Sequence, residues 1–547
     1  VGLLEALLIL PRIAGGGLAG GGWIALEPLL LAGLFLLLPV RRWTSVLGWL
    51  AATAVTLAAA IGLADALMRR SLARPLNLYL DGSLADSLFD LLAGNLGRGT
   101  AILLLAVAVL LPVLCVVGLA RLLRGLRDGA TLPRARALGV ALLVVSSAPL
   151  AGEGPVAPAS LVATPAVDAV TAQVRAAWRS HDERRTFLRQ LERRDPMSAG
   201  LEGLGGADVI LAFIESYGVS AVDDPRYAPL IRPRLAQLEA RVKAAGLHMA
   251  TATLVSPVQG GQSWLAHGTV LSGLWLDTQL RYDLMLGHGP DTLIDDFERA
   301  GYRTVALMPA ITRSWLAGRR LGYDRVFGAA DIDYAGPPLN WVTMPDQFTW
   351  RYLEHAIRRP DGPPLFAELA LISSHAPWTP ILPVLEDWSR IGDGAVFQRW
   401  ADAGPEPAVL WQDAERVRQH YALAVDYALA AATGYAERFV DDDTLLIVVG
   451  DHQPAPLITG RDASRAVPMH VISGDPALLR PFMEHGFRPG ALPPPAAGEA
   501  WRMDEFRSWF LDAFQRPPQG KMANQPRGDA APPQTDEPPL AGSRSSR

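Results

Sequence analysis

The sequence predicts an N-terminal α-helical transmembrane bundle followed by an α/β domain built on a mostly parallel central sheet. Three observations carry that reading. Uninterrupted apolar runs crowd residues 1–151, and from Ala207 to Phe514 short β-rich apolar runs alternate with amphipathic helical stretches. Three of the four clearest strands also end in residues suited to acid–base or metal chemistry.

The 547 residues exceed one ordinary domain. Half are apolar and 19% are charged, with a mean hydropathy of +0.17, a balance that membrane spans explain better than an oversized soluble core. Net charge is −5 and the soluble part has no strongly basic stretch, which disfavours nucleic acid as a partner. The one cysteine, Cys115, lies in an apolar run; it rules out an intrachain disulfide and a cysteine metal site, and makes a cysteine nucleophile a poor choice.

Four segments approach the roughly 20 apolar residues that a bilayer core demands: Gly22–Val40, Ser45–Leu67, Thr100–Ala120 and the shorter Ala137–Ala151. A fifth candidate, Val1–Ala19, carries Glu5, Pro11 and Arg12, a cost in lipid that leaves four or five helices. A cleaved signal peptide fits poorly, because further spans follow. Arg41 and Arg42 fill one turn between spans, and Arg121, Arg124, Arg127, Arg134 and Arg136 fill another. Both turns are expected in the cytoplasm, which places the loop between Arg69 and Arg98, and everything after Ala151, outside. The expected location is a multi-pass inner (cell) membrane protein with an extracytoplasmic domain.

Residues 152–206 read as a linker, rich in Pro, Ala and Gly to Thr164, followed by a charged helix over Val167–Arg194. The domain itself occupies 207–514, and the Pro-, Gly- and Ser-rich tail 515–547 reads as disordered. Four strands organise the domain: Asp208–Ile214 ending in Glu215-Ser216, Thr304–Met308, Leu365–Ile372 ending in Ser373-Ser374-His375, and Thr444–Val449 ending in Gly450-Asp451-His452. Continuous apolar strands are buried on both faces, and in open α/β sheets ligands bind where such strands end.

Glu215, Asp451 and His452 form a hard-to-borderline donor set that suits Mn²⁺ first, with Mg²⁺ or Zn²⁺ as alternatives. Taken singly, Glu215 also suits a helix N-terminus and Asp451-His452 a turn. Ser263 follows Gly260-Gly261-Gln262 at the start of an apolar helical run. A metal-bound Ser263 would ionise near neutral pH and attack phosphorus; as an N-cap it would do nothing of the kind. Ser216 and Thr253 are rivals for that role. His375 would donate to a substrate oxygen or protonate a leaving group, or be an ordinary loop histidine. His470 is a candidate for support behind the metal ligands, whereas His267 reads as structural. Arg313 and Trp315, with Arg319 and Arg320, form a basic aromatic patch expected to hold a substrate phosphate, though a surface patch explains them nearly as well.

The order of these motifs resembles the sulfatase-like branch of the alkaline phosphatase superfamily. With several N-terminal spans ahead of it, the pattern is similar to lipoteichoic acid synthases and bacterial phosphoglycerol transferases. The resemblance covers Ala207–Arg480 and rests on strand–Glu215, Gly261-Gln262-Ser263, Gly301-Tyr302-Arg303-Thr304, Ser373–Trp378 and Gly450-Asp451-His452. It implies an alkaline phosphatase-like fold, metal ligation by Glu215, Asp451, His452 and the side chain of Ser263, and substrate binding by His375. The nucleophile of that subgroup is usually threonine, so Ser263 is a departure that weakens transfer of the exact substrate. Ser263 is followed by Trp-Leu-Ala-His and not x-Pro-x-Arg, which argues against sulfatase-type formylglycine maturation. Related phosphoethanolamine transferases carry disulfides that this chain cannot form.

The resulting expectation is a metal-dependent enzyme that moves a phosphoglycerol-type group from a membrane lipid donor to an envelope glycan or lipid acceptor through a covalent Ser263 intermediate. A sulfatase-like phosphodiesterase or sulfuric ester hydrolase is the alternative, and a non-catalytic relative the third reading.

Overall fold

The structure, a computed structural model, describes residues 1–14, 22–82, 89, 92–93, 97–129, 133–147, 161–193, 200–289, 291–359, 362–460, 462–494 and 500–515. The proposed tail from 516 and most of the Pro/Ala/Gly linker lie outside these residues.

The N-terminal part is helical: α1 (Gly2–Ala14), α2 (Leu26–Leu37), α3 (Arg42–Leu72), α4 (Arg98–Gly129) and α5 (Pro133–Ser147). Of these, α3 and α4 are long and apolar enough to cross a membrane. Only 28% and 6% of their most apolar stretches are buried, and Ile102, Leu103, Leu110 and Leu114 are each 59–67% exposed. A surface this apolar on every side is stable in lipid and not in water; the protein is membrane-associated. The expected span Gly22–Val40 shortens to the 12 residues of α2. Pro39 disfavours helical backbone at the residue before it, and Leu38 is extended. The segment expected at Ala137–Ala151 forms α5, and its last residues lie outside those described, as does the end of the Val1–Ala19 candidate.

The charged stretch forms α6 (Pro165–Glu192), which ties the two parts together. Near its N-terminus the Ala166 N–H donates to Glu27 Oε1 at 2.9 Å. Further along, Ser180 Oγ accepts from Asn77 at 2.8 Å, and Glu183 pairs with Arg281 of the α/β domain at 2.6 Å.

That domain holds a nine-stranded sheet of β1 (Asp208–Ile214), β2 (His248–Val255), β3 (Arg303–Met308), β4 (Arg325–Gly328), β5 (Leu365–Leu371), β6 (Thr444–Gly450), β7 (Ala466–Ser473), β8 (Arg488–Pro489) and β9 (Trp501–Arg502). The order is β8-β2-β7-β6-β1-β5-β3-β4, with β9 also on β2. The four strands legible in the sequence lie side by side and parallel, as β6-β1-β5-β3. In contrast, β7 is antiparallel to both β6 and β2, so the sheet is mixed but mostly parallel. Because two antiparallel steps restore direction, β2 again points its C-terminal end at the edge where β1, β5 and β6 end.

The apolar run of β1 shows why these strands are continuous. Ile210, Ala212 and Ile214 enter one core with α7 (Ala228–Ala244) and α9 (Ala414–Phe439), including Ile231, Leu235 and Val425. Val209, Leu211 and Phe213 enter the other core with Leu265 of α8 (Ser263–Ser272), Phe297 and Phe510. Burying such a side chain contributes about 1.5–3 kcal/mol, so both faces resist replacement by polar residues.

Candidate active site

The site is assembled at the strand ends. Glu215 follows β1 directly, and its neighbour Ser216 turns the chain with a left-handed φ of 56°. Asp451 and His452 follow β6, whose last residue is Gly450. A Cβ at Gly450 would fall 1.9 Å from the carbonyl oxygen of Tyr217, so only glycine lets β6 end against the Glu215–Tyr217 turn. Ser263 arrives from β2 through the loop 256–262. That loop is fastened to the segment after β6, with Ser256 Oγ donating to the Asp451 carbonyl at 2.7 Å and Gly260 N–H to the Gln453 carbonyl at 2.8 Å.

One ligand atom each from Glu215, Asp451 and His452 lies within 4.8 Å of the others. Ser263 Oγ donates to Glu215 Oε2 at 2.9 Å and stands 3.2 Å from His452 Nε2. It is therefore not the cap of its helix: Gln262 holds that position, with φ 67°. Asp451 Oδ1 accepts from the backbone N–H groups of Ser216 at 2.7 Å and His452 at 2.6 Å. These bonds fix the carboxylate and leave Oδ2 facing His452 Nε2 at 3.6 Å. His452 Nδ1 lies 2.9 Å from the Gln453 carbonyl, which only accepts, so Nδ1 carries the proton and Nε2 keeps its lone pair toward the cluster.

Burial pushes the Glu215 carboxyl up, but His452, His375 and the hydroxyls of Ser216 and Ser263 outweigh it and bring it down to about 2. Asp451 moves the other way, well above the ordinary range, because it is buried and faces the Glu215 charge. Two buried carboxylates this close ionise together only with a cation between them. With an imidazole lone pair and a hydroxyl beside them, the donor chemistry fits a divalent metal ion.

His375 lies in the turn after β5. Its Nδ1 is 2.5 Å from the Ala376 carbonyl, and its ring stacks on Trp341 with centroids 3.5 Å apart and planes 13° from parallel. Burial lowers its pKa, partly offset by Glu215, so the ring is neutral at pH 7 with Nε2 as an acceptor. Ser374 Oγ donates to the Glu215 carbonyl at 2.6 Å, joining this turn to the end of β1.

Sequence reasoning missed Trp341, and its signal was local: Asn340 before it has a left-handed φ of 59° and donates to the Thr379 carbonyl at 2.6 Å. It also missed Asp346, a fully buried carboxyl that burial, with Glu215 nearby, raises to about 7.

Other expected residues lie elsewhere. Arg313 is exposed on the loop after β3, and the Trp315 ring packs over Gly318. His470 is a correction. Both of its ring nitrogens are engaged, by Tyr217 Oη at 3.1 Å and Thr251 Oγ1 at 2.9 Å, with no hydrogen bond to the four clustered side chains. Its position on β7 turns it into the sheet core. Thr253 donates to the Pro494 carbonyl at 3.0 Å, away from the site, and Ser216 Oγ to Glu215 Oε1 at 2.8 Å, within it. His267, one turn after Ser263, stacks on Phe213 and bonds buried Glu368 at 2.7 Å.

Residues 271–465, spanning β3 to β6 and including His375, Asp451 and His452, match the Sulfatase family. The α/β domain is sulfatase-like. Among solved structures, this domain is similar to a lipoteichoic acid synthase from Listeria monocytogenes, with 13% identity, 52% of this chain and 70% of that one covered, and a TM-score of 0.33. It is similar also to a Streptococcus pyogenes phosphoglycerol transferase solved with sn-glycerol-1-phosphate, with 11% identity, 61% and 90% covered, and a TM-score of 0.34. A phosphonate monoester hydrolase from Silicibacter pomeroyi gives 14% identity, 56% and 73% covered, and a TM-score of 0.33. No curated protein sequence matches the chain.

Proposed function

We propose that the sulfatase domain is a membrane-anchored, metal-dependent transferase that moves a phosphoglycerol-type group from a lipid to a glycan or lipid acceptor. The observation that carries this reading is Ser263 Oγ held between Glu215 Oε2 at 2.9 Å and His452 Nε2 at 3.2 Å. A divalent cation, Mn²⁺ first by donor type, held by Glu215, Asp451, His452 and Ser263 would lower the hydroxyl pKa and polarise a phosphoryl oxygen.

Glu215 holds Oγ toward the incoming phosphorus through the 2.9 Å contact, and with the cation bound the Ser263 proton would pass to solvent. The new bond joins Ser263 Oγ to phosphorus and the bond to diacylglycerol oxygen breaks, that oxygen taking a proton from solvent in exchange for the one Ser263 releases. An acceptor hydroxyl then attacks phosphorus and gives its proton to neutral His375 at Nε2; the Oγ–phosphorus bond breaks, and Ser263 Oγ regains a proton that His375 returns through solvent. Trp341 fixes the ring for that step by stacking.

The anchor keeps a lipid donor within reach. We place α3 and α4 across the inner membrane in a multi-pass arrangement, with the sulfatase domain on the extracytoplasmic side by the arginine distribution.

The test is product analysis with phosphatidylglycerol and Mn²⁺, with and without a glycan or lipid acceptor. Transfer of glycerophosphate to the acceptor supports the reading. Free glycerophosphate at an acceptor-independent rate would make the protein a hydrolase, and no product with metal bound would refute both.

A further inference from the structure

The nucleophile loop touches the membrane helices. The C-terminal end of α3 lies against Gly260 and Gly261, with the Ser71 carbonyl and the Leu72 side chain beside them. Arg74, just past α3, reaches Gln262 Oε1 with its guanidinium at 3.3–3.4 Å and pairs with Asp81 at 2.6 Å. Beside this contact opens a cavity of about 740 Å³ between α1, α3, α6 and the sulfatase domain. That volume lies in the range of ligand sites.

Its wall changes character along its length. Leu8, Pro11, Ala58 and Ile61 line it between α1 and α3, with Arg12 and Asp65 beside them, whereas Arg74 and Gln262 line the end next to Ser263. Gln262 is 8% exposed, and its Nε2 has no hydrogen-bond partner among the described residues. A buried amide donor without a partner costs about 1–3 kcal/mol, and this one belongs to the cavity wall one residue before the nucleophile. Arg74 holds the amide by its oxygen, which leaves both N–H donors to a ligand.

We infer that this cavity binds a membrane glycerophospholipid, with its acyl and glycerol part between α1 and α3 and its phosphodiester at Gln262. The apolar side chains of α1 and α3 in the wall suit acyl and glycerol carbons better than a free sugar or nucleotide. A polar end with an unused amide donor and a guanidinium excludes a simple hydrocarbon. The catalytic use of the bound lipid rests on the transferase reading above; its binding does not.

The test uses the full chain in phosphatidylcholine nanodiscs doped with phosphatidylglycerol bearing a photoreactive diazirine on the acyl chain. Crosslinks are mapped by mass spectrometry, and Ala172→Trp intrudes on the cavity from an exposed position of α6. Wild-type adducts should fall on the lining of α1 and α3. In Ala172→Trp those adducts should fall about tenfold, equivalent to about 1.4 kcal/mol, while labelling of Ile102–Leu114 on α4 stays unchanged. Ala169→Trp, on the same wall, serves if the first variant melts early.

Adducts confined to outward faces such as α4, or lining adducts untouched by both folded variants, would overturn the inference. Labelling by a diazirine fatty acid that excess phosphatidylglycerol does not displace would also overturn it. Turnover of the soluble diester bis-p-nitrophenyl phosphate reads the catalytic centre separately. Lining adducts without any such turnover would support the cavity and remove the enzyme reading.

Discussion

Replacing Gly260 with alanine should separate a backbone penalty from a collision. Gly260 has φ 77°, so any L-residue there adopts left-handed backbone at a cost of roughly 1–2 kcal/mol. The added Cβ would also lie 1.9 Å from the Ser71 carbonyl oxygen and 3.2 Å from Ala455 Cα, both backbone atoms that no rotamer change can move. Relief requires α3 or the nucleophile loop to shift by about 1 Å, and a misplacement of that size near reacting groups costs on the order of 10²-fold in rate. Gly205 is the control, with left-handed φ 62° and ψ 17° and nothing within 4 Å of an added Cβ. We expect Gly205→Ala to lose about 1–2 kcal/mol of stability with turnover kept. Gly260→Ala should lose more stability and, in addition, about 100-fold in phosphodiester turnover. Denaturant melts and bis-p-nitrophenyl phosphate kinetics on the full chain measure both. If the two variants behave alike, α3 does not press on the nucleophile loop and the coupling between anchor and site is wrong.

Chelation should lower the melting temperature, and Mn²⁺ at about 100 times its Kd should return about 2.7 kcal/mol; Asp451→Asn should abolish that metal-dependent shift in a thermal melt. His470 gives a pH signature. Burial lowers its pKa to about 3, so the folded state holds it neutral, its full stability is present above the ordinary pKa of about 6.5, and stability is lost as pH falls toward 3. Between pH 6.5 and 5 the wild type should lose roughly 2 kcal/mol more than His470→Gln, measured by urea melts across that range. Glu368 accepts from His267 and Tyr323 in the core below Ser263, so Glu368→Gln should cost about 2 kcal/mol of stability while Mn²⁺ affinity by calorimetry is unchanged.

Much of the architecture was legible because the central strands are buried on both faces. Such strands read as apolar runs, and the residues at their ends, Glu215, His375 and Asp451-His452, come together by sheet geometry alone. The outer strands were hidden for the converse reason. β2 is the Thr-rich segment His248–Val255 and β7 contains Pro468, so neither reads as a continuous apolar run. Without β2 the route by which Ser263 reaches the strand ends could not be drawn, though its Gly-Gly-x-Ser context pointed to it. Aromatic partners were the weakest part. Trp315 and Trp341 are equivalent in composition, and only the turn at Asn340 and the fold of the 376–380 segment bring Trp341 onto His375. His470 failed because period-2 alternation in β7 tells that side chains change face, not which face meets the site.

The central claim is that Ser263 is a nucleophile toward a lipid phosphodiester. Its most direct test is the intact mass of the full chain after incubation with phosphatidylglycerol and Mn²⁺ without acceptor. The account predicts a mass increase of one glycerophosphate, located at Ser263 and absent in Ser263→Ala. A protein with bound metal and phosphatidylglycerol turnover but no adduct, or an adduct that persists in Ser263→Ala, would contradict it.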